Sequence, residues 1–218
     1  MVTPSLRLPY EFTEPLRTAR LLIRTMAVPD VDDIHAYQSR EDVARYLPYL
    51  PRSRDEVADK VAQYSQAIEI GCEGDYWQLA IERLAEPGRV IGDVYFSLKS
   101  ITDASAEIGW TLNPSHERQG YMTEAAGAIL EIAFSEIGVH RVFARLDPRN
   151  GASAALCRRL GMREEARLIE DIWFKGAWGD TSIFAILGRE WQTAPAGRKS
   201  QRHRRMGRPP DAGAALAP

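Results

Sequence analysis

Cysteine is scarce in this chain of 218 residues, and long apolar runs are absent. Only Cys72 and Cys157 occur, which is too few for a disulfide framework and lacks the paired spacing of a zinc site. No segment reaches the roughly 18 consecutive apolar residues that a membrane-spanning helix needs. The start of the chain also lacks the basic, apolar and small-residue order of a secretory signal. The sequence therefore predicts a cytoplasmic protein without a membrane anchor and excludes disulfide-rich and zinc-stapled modules.

Motifs for metals and nucleotides are missing as well. The four histidines show no metal-ligand spacing, so no metal is predicted. The chain has neither the Gly-Lys-Ser/Thr of a Walker loop nor the three spaced glycines of the dinucleotide fingerprint. The sequence therefore gives no sign of either of these two common nucleotide sites.

Charge is nearly balanced overall but unevenly distributed. The chain has 28 basic and 30 acidic residues, yet residues 193–218 carry six basic and one acidic side chain. This tail is therefore +5 and the preceding residues are −7, given the total of −2. The tail has almost no large apolar side chains, so we predict that it is disordered. Its charge is either only solvating or supports weak contact with nucleic acid or protein, whereas the acidic body favours cationic and amine substrates.

What is present is an ordered series of strand and helix patterns in a chain with 44% apolar residues, enough for a packed interior. Ser53 and Glu56 form a capping box before a helix, and the apolar spacing changes from strand to helix period at Thr123. The predicted strands cover residues 16–25, 77–83, 90–97, 106–112, 141–146, 166–174 and 181–187, and the predicted helices cover residues 29–38, 54–69, 123–137 and 152–160. Without a repeat or internal linker, this order predicts one α/β domain with a mixed sheet.

One stretch suggests an anion site. Residues 107–114 (EIGWTLNP) are a strand that runs into the turn 115–120 (SHERQG), which contains Gly120 and opens a long helix. Free backbone N–H groups and the helix dipole meet at such a point, which suits a phosphate. A single glycine is also compatible with a plain helix start.

A second stretch, residues 147–162 (DPRNGASAALCRRLGM), follows about thirty residues later. In this order and spacing the two stretches resemble the GNAT acyltransferase superfamily, most closely its branch of ribosomal-protein N-terminal (Rim-type) acetyltransferases. Residues 16–21 resemble that branch's first strand, and residues 175–180, ending at Glu190 and Trp191, resemble its last hairpin and closing strand. The resemblance covers residues 16–192. It implies a single GNAT-like domain with a mixed, mostly antiparallel sheet of six to seven strands and about four helices, between an extension at 1–15 and the tail at 193–218.

The resemblance also implies a site for acetyl-CoA as co-substrate. The implied residues that pair with the pantetheine arm are Trp110, Thr111 and Leu112 on the strand. Those that surround the pyrophosphate are Arg118, Gln119, Gly120, Tyr121, Met122 and Thr123. Those that face the donor from the end of the next strand and from the following helix are Asn150 and Ser153. Asn150 and Ser153 are also good helix caps, and the two roles are compatible.

The implied catalytic residues are Glu107, as the general base, and Ser153. Strand alternation places Glu107 on the face that carries Gly109 and Thr111; the alternative is a carboxylate at a sheet edge paired with an arginine. The sequence departs from the family at Glu117, where Arg or Gln is usual, and at Met122, where Gly or Ala is common. Cys157 stands where many relatives have a tyrosine general acid, and we interpret it as a buried apolar residue.

The implied activity is direct transfer of acetyl from CoA to a primary amine in a ternary complex. The acceptor is either a protein N-terminal α-amine or a small amine such as an antibiotic, polyamine or metabolite. A non-catalytic CoA-binding module is the remaining alternative. The segment 46–50 (YLPYL) is an acceptor-side lid or a packed loop, Trp173 and Trp178 lie near the acceptor entrance of relatives, and both a monomer and a homodimer fit the sequence.

Overall fold

A computed structural model describes residues 6–193 and the pair 204–205 of the chain. The strands are β1 (Tyr10–Glu11), β2 (Leu16–Arg17), β3 (Leu21–Thr25), β4 (Glu69–Ile70), β5 (Tyr76–Arg83), β6 (Glu86–Ser100), β7 (Ser105–Leu112), β8 (Arg141–Leu146), β9 (Arg163–Phe174), β10 (Ala177–Leu187) and β11 (Arg204–Arg205). The helices are α1 (Val31–Gln38), α2 (Glu41–Ala44), α3 (Arg54–Tyr64), α4 (Tyr121–Glu131), α5 (Gly151–Leu160) and α6 (Gly188–Thr193). A π-helical segment, Ile132–Ile137, continues α4.

The main sheet has the strand order β11-β2-β3-β5-β6-β7-β8-β10-β9 among the described residues. Neighbouring strands are antiparallel except β7 and β8, which are parallel. The β7–β8 pairing is short and ends where Glu107 meets Phe143. Beyond this point both strands continue without pairing to each other, so the sheet opens in its middle.

Helices cover both faces of the sheet. Ala80 of β5 packs in a cluster with α1 and α3 residues, whereas its neighbours Leu79 and Ile81 pack in the main core with α4 and α5. Because successive residues of a strand point to opposite faces, α1 and α3 lie on one face and α4 and α5 on the other. Within the described part of the chain, no helix combines the length and apolar character needed to cross a bilayer.

The α/β class and the mixed sheet are confirmed, but the element counts were wrong. The single predicted strand at 16–25 is two strands, because Thr18 turns the chain back through a bond from its N–H to the Leu21 carbonyl at 2.9 Å. This division and β11 raise the sheet from seven strands to nine. The helix predicted to reach residue 69 ends at Tyr64, and α2 and α6 are helices that the sequence pattern did not reveal.

The predicted closing strand through Glu190 and Trp191 is a helix instead. Glu190 accepts a hydrogen bond from the Leu187 N–H at 2.9 Å, which fixes the start of α6 just after β10. Trp191 is buried and donates from Nε1 to Glu131 Oε2 at 2.8 Å. This helix therefore packs against the C-terminal end of α4 and does not extend the sheet.

The predicted termini are described only in part. In the predicted extension at 1–15, Phe12 is buried in the main core and β1 pairs with β4. In the predicted disordered tail, Thr193 ends α6 and β11 pairs with β2. The rest of the tail prediction lies outside the described residues.

Gly92 on β6 occupies a position with no room for a side chain. A Cβ there would lie 2.5 Å from the Thr111 carbonyl oxygen, whereas a Cβ on Gly109 would meet nothing closer than Tyr95 Cδ1 at 3.6 Å. We expect Gly92→Ala to lower the free energy of unfolding by about 1–3 kcal/mol through overpacking. Urea denaturation of Gly92→Ala beside Gly109→Ala measures this, and equal losses in the two variants would contradict it.

Candidate active site

A cavity of about 390 Å³ lies where β7 and β8 separate. Its walls come from both strands, from the start of α5, from the segment between α2 and α3, and from the middle of β6. The lining includes residues 107–111, Ala144, Arg145, Leu146, Asn150, Ser153, residues 46–49, Arg52 and Asp93. The cavity therefore brings together residues that the sequence analysis selected from two separate stretches.

The edge of β7 that faces the cavity is open. Pairing with β8 stops at Glu107, so residues 108–112 have no strand on that side among the described residues. An extended chain can pair with such an edge through its own amides. Trp110, Thr111 and Leu112, the predicted pantetheine-binding residues, form this edge. Trp110 also donates from Nε1 to Ser153 Oγ at 3.3 Å, which joins β7 to α5.

The turn before α4 has the geometry of an anion site. Arg118 (φ +59°) and Gly120 (φ +78°) both adopt the left-handed conformation, and residues 117–120 are exposed. Within the described residues, the N–H groups of Arg118, Gln119 and Gly120 have no hydrogen-bond partner. The first N–H groups of α4, from Tyr121 to Thr123, have no carbonyl within the helix to bond. These donors and the helix dipole can hold a phosphate.

Arg20, between β2 and β3, holds this turn through direct contacts. Its Nη1 donates to the Gln119 carbonyl at 2.9 Å, its Nε donates to Glu124 Oε2 at 2.7 Å, and its guanidinium lies 4.7 Å from the centre of the Tyr121 ring. Thr18 Oγ1 donates to Glu124 Oε1 at 2.6 Å. Burial alone would raise the pKa of Glu124, but the bonds from Thr18 and Arg20 outweigh it and the pKa is lowered. The sequence analysis missed this support because the partners are about a hundred residues apart.

Asn150 and Ser153 cap α5 and face the cavity at the same time. Asn150 Oδ1 accepts from the Ser153 N–H at 3.0 Å, so the capping role is present. Cys157, one turn further along, is fully buried, and burial raises the pKa of its thiol to about 12. A thiol that stays protonated near neutral pH supports the interpretation of Cys157 as a packing residue.

Glu107, the predicted general base, lines the cavity and has a cationic partner. Its Oε2 lies 3.0 Å from Lys99 Nζ, which also donates to the Tyr95 hydroxyl at 3.1 Å. Partial burial would lower the pKa of Lys99, but the Tyr95 hydroxyl and the Glu107 carboxylate raise it. The sequence alternative of an ion pair therefore exists, with a lysine in place of the expected arginine.

Asp93 is a second cavity carboxylate, and the sequence analysis missed it. Only 2% of the residue is exposed, and it accepts hydrogen bonds from Tyr37 Oη and Gln78 Nε2, both at 2.5 Å, and from Gln38 Nε2 at 3.5 Å. Burial raises the pKa of Asp93 to about 6, against the lowering effect of these three bonds. An acidic residue inside an apolar strand was the available signal.

The segment 46–49 forms the outer wall of the cavity beside Asp93. Arg52, which follows it, lies 3.9 Å from the centre of the Tyr49 ring and donates to Gln38 Oε1 at 2.7 Å. The Tyr49 hydroxyl is buried without a hydrogen-bond partner among the described residues, and burial raises its pKa. The segment thus packs over the cavity, while its movement as a lid stays a prediction.

Trp173 and Trp178 lie away from this cavity. They form an edge-to-face pair on the β9–β10 hairpin, with ring centres 5.3 Å apart, and are 61% and 58% exposed. Neither contributes to the cavity wall. In residues 6–193 no group of His, Cys, Asp and Glu side chains has the arrangement of a metal site.

Asp93 should make stability depend on pH. Its pKa of about 6 in the folded protein lies above the roughly 3.9 of an unfolded chain. Between these two pKa values the folded state binds more protons than the unfolded state. The contribution of Asp93 to the free energy of unfolding is therefore at its maximum below the unfolded pKa. It falls by about 3 kcal/mol as pH rises through 6.

The variant Asp93→Asn has no ionisable group at this position, so its free energy of unfolding should not fall in this way as pH rises. Relative to the parent, its free energy of unfolding should rise by about 2 kcal/mol between pH 4 and pH 7. Urea denaturation at each pH measures the difference, with Asp59→Asn as the exposed control. A constant difference between parent and Asp93→Asn would contradict the assignment.

Comparison with known proteins agrees with this geometry. The family model described as acetyltransferase (GNAT) domain matches residues 20–163. The uncharacterized N-acetyltransferase YnaD of Bacillus subtilis is 31% identical over 176 residues, which cover 81% of this chain and 98% of YnaD. The crystal structure of a GNAT-family acetyltransferase from Bacillus anthracis superposes with a TM-score of 0.72 at 28% identity, and the match covers 80% of this chain and 99% of that one.

A more distant structure shares the fold alone. Spermidine N-acetyltransferase from Vibrio cholerae, crystallised with CoA and spermine, superposes with a TM-score of 0.66 at 20% identity. The match covers 79% of this chain and 98% of that one.

Proposed function

Because the chain belongs to the acetyltransferase (GNAT) family and is an acetyl-CoA-dependent N-acetyltransferase, we propose that the cavity beside β7 is its active site and that its acceptor is a small primary amine. The observation that carries this proposal is a cavity with two carboxylates, Asp93 and Glu107, at the opening between β7 and β8. Membership of a family of N-acetyltransferases sets aside the alternative of a non-catalytic CoA-binding module.

The donor lies along the open edge of β7. Trp110, Thr111 and Leu112 offer backbone groups to the pantetheine amides, and the N–H groups of residues 118–123 hold the pyrophosphate. Arg20 keeps the turn in place through Gln119 and Glu124. Glu117 is exposed and leaves the phosphates to the backbone. Asn150 and Ser153 close the other side of the donor channel.

Glu107 and Ser153 perform the proton transfers. An amine attacks the thioester carbonyl only when it is neutral, yet free amines have a pKa of about 8 to 10.4. Glu107 therefore takes a proton from the bound ammonium group before attack. The neutral amine then forms the C–N bond, and the second proton that its nitrogen gives up passes to solvent. The C–S bond then breaks, and the Ser153 hydroxyl donates a proton to the leaving sulfur and regains one from solvent. Lys99 holds Glu107 in place through its ion pair.

A small amine suits the cavity better than a folded protein surface. The cavity has a volume of about 390 Å³, which suits a small molecule, and the segment 46–49 forms part of its wall. The cavity contains two carboxylates and two arginines, of which Arg145 pairs with Asp171 and Arg52 lies on the Tyr49 ring. The body of the chain is acidic, and Asp93 has no ion-pair partner among the described residues, so a cationic amine is attracted to this side of the cavity. Small size and positive charge therefore describe the proposed acceptor.

A protein N-terminal α-amine is the second candidate. YdaF, a Bacillus subtilis protein named for ribosomal N-acetyltransferase activity, is 30% identical over 87 residues, or 40% of this chain. This similarity supports the Rim-type branch that the sequence motifs resemble. The N-terminal residues of a protein form a single extended chain, which enters the cavity while the folded part of that protein stays outside.

An acetyl-CoA thiol-release assay tests the proposal. The purified chain is incubated with acetyl-CoA and either small mono- and diamines or peptides with free and blocked N-termini. Faster thiol release with small amines than with free-terminus peptides is the expected result. Release with free-terminus peptides alone would favour the second candidate. Tight acetyl-CoA binding without release by any acceptor would contradict both.

A further inference from the structure

Asp93 differs from the other buried acids of the protein in lacking a cationic partner. Asp30 and Glu82 are buried to a similar degree, and both pair with Arg24. Glu107, the other cavity carboxylate, pairs with Lys99. No lysine, arginine or histidine nitrogen lies within 4.0 Å of the Asp93 carboxylate in the described part of the chain. A buried carboxylate without a counter-ion is costly, so the fold retains at this point a charge that a bound cation would neutralise.

The three groups that donate to Asp93 orient it without carrying a charge, and Arg52 lowers the pKa of Asp93 through its charge without pairing with it directly. Tyr37, Gln38 and Gln78 are neutral donors, and together they occupy three of the roughly four acceptor positions of a carboxylate. The remaining position is on a residue that lines the cavity. The arrangement holds the carboxylate rigidly and leaves it able to accept one more hydrogen bond from a ligand.

Two neighbours are consistent with a ligand at this point. Arg52, the nearest candidate counter-ion, is engaged elsewhere, with its guanidinium on the Tyr49 ring and a bond to Gln38. The Tyr49 hydroxyl, on the cavity wall, is buried without a partner. Tyrosines 46, 64 and 95 also line the cavity, and their rings favour cations.

The separation between the two carboxylates defines the ligand. Asp93 pairs with Thr111, which lies four residues after Glu107 on β7, and the side chains share one face of the sheet. At about 3.4 Å per residue and about 4.8 Å between strands, the Cα atoms of Asp93 and Glu107 are roughly 14 Å apart. One amino group cannot reach both. A ligand that uses both must carry two separated positive groups.

We propose that Asp93 is a specificity-determining residue that binds a second ammonium group of the acceptor, so that the enzyme acts on diamines with well-separated amino groups. This inference rests on the proposed function, in which the first amino group is acetylated beside Glu107. Asp93 selects the acceptor and takes no part in the proton transfer.

A comparison of two probes of equal length tests the inference. 1,7-Diaminoheptane has both amino groups, and n-heptylamine has one. Thiol release with acetyl-CoA is measured at pH 8 for the parent, Asp93→Asn and the exposed control Asp59→Asn. The parent should prefer the diamine in kcat/KM. This preference should fall about 10- to 100-fold in Asp93→Asn, mainly through KM, as expected for a lost charged hydrogen bond, and Asp59→Asn should keep it.

The readouts separate this inference from the proposed function. If the parent acetylates both amines and Asp93→Asn keeps the parental preference, Asp93 has no such role although the proposed function stands. If calorimetry shows that 1,7-diaminoheptane binds the parent more tightly than Asp93→Asn while neither amine is acetylated, the binding inference stands and the proposed function fails. Tyr37→Phe is the second variant, because it keeps the charge but frees the carboxylate, and it should weaken the preference partly. An unchanged preference in Tyr37→Phe would count against the rigid anchor.

Discussion

The variant Glu107→Gln should acetylate amines with a kcat/KM about 10²–10⁴-fold lower than the parent, the range that a general base contributes. The amide keeps the size of the side chain and its place on β7 but cannot accept the amine proton. Binding of acetyl-CoA should stay within a few-fold, because Glu107 lies before the part of β7 that is open to the donor. Steady-state kinetics at neutral pH and calorimetry with acetyl-CoA measure the two effects.

Raising the pH should partly restore activity to this variant, since more of the amine is then neutral in solution. Glu165→Gln is the matched control. Glu165 is also a partly exposed, ion-paired carboxylate, bonded to Arg141 and Arg163, but it lies on β9 away from the cavity. It should keep parental kcat/KM. Parental turnover by Glu107→Gln at neutral pH would exclude Glu107 as the base.

The variant Gly120→Val should bind CoA about 10- to 100-fold more weakly, the loss expected for one or two charge-assisted hydrogen bonds to phosphate. Gly120 has φ +78°, a conformation that valine avoids, so the backbone of the turn must change. Its N–H groups then no longer point toward one phosphate position. A new Cβ would also lie 3.5 Å from Arg20 Nη2, within contact of the side chain that fixes the turn.

Gly74→Val separates backbone strain from loss of the site. Gly74 also has a positive φ, +94°, with open space around it, and it lies in the turn between β4 and β5. Both variants should lose stability to a similar extent, while calorimetry should show weakened CoA binding only in Gly120→Val. Parental CoA affinity in Gly120→Val would place the pyrophosphate elsewhere.

Local signals in the sequence were sufficient to propose the donor side of the site. The strand at 105–112, the glycine turn and the start of α4 follow one another directly in the chain, so their pattern could be recognised from neighbouring residues. The cap formed by Asn150 and Ser153 is equally local. The contact between Trp110 and Ser153 follows once these two elements are adjacent in the fold.

The acceptor side, and the contact that holds the donor turn in place, depend on residues that lie far apart in the sequence. Tyr37 reaches Asp93 from 56 residues away, and Arg20 reaches Glu124 from 104 residues away. Neither pair leaves a pattern in the sequence, because each residue alone fits its own helix, strand or turn. The helix that contains Trp191 was also missed. A tryptophan after an apolar strand favours a longer strand, but the Glu190 side chain accepts a hydrogen bond from the Leu187 N–H and so favours the start of a helix.

The short pairing between β7 and β8 has a consequence for the order in which substrates bind. In the described part of the chain, these strands pair only through residues 105–107 and 141–143, so the two halves of the sheet are joined over a short length. A donor bound to the open edge of β7 would pair with it as a strand does and would contact β8 and α5 on the other side of the opening. The proposed acceptor pocket is lined by residues from both halves, including Asp93 and Arg145. We therefore expect an ordered sequential reaction, in which CoA binds first and leaves last.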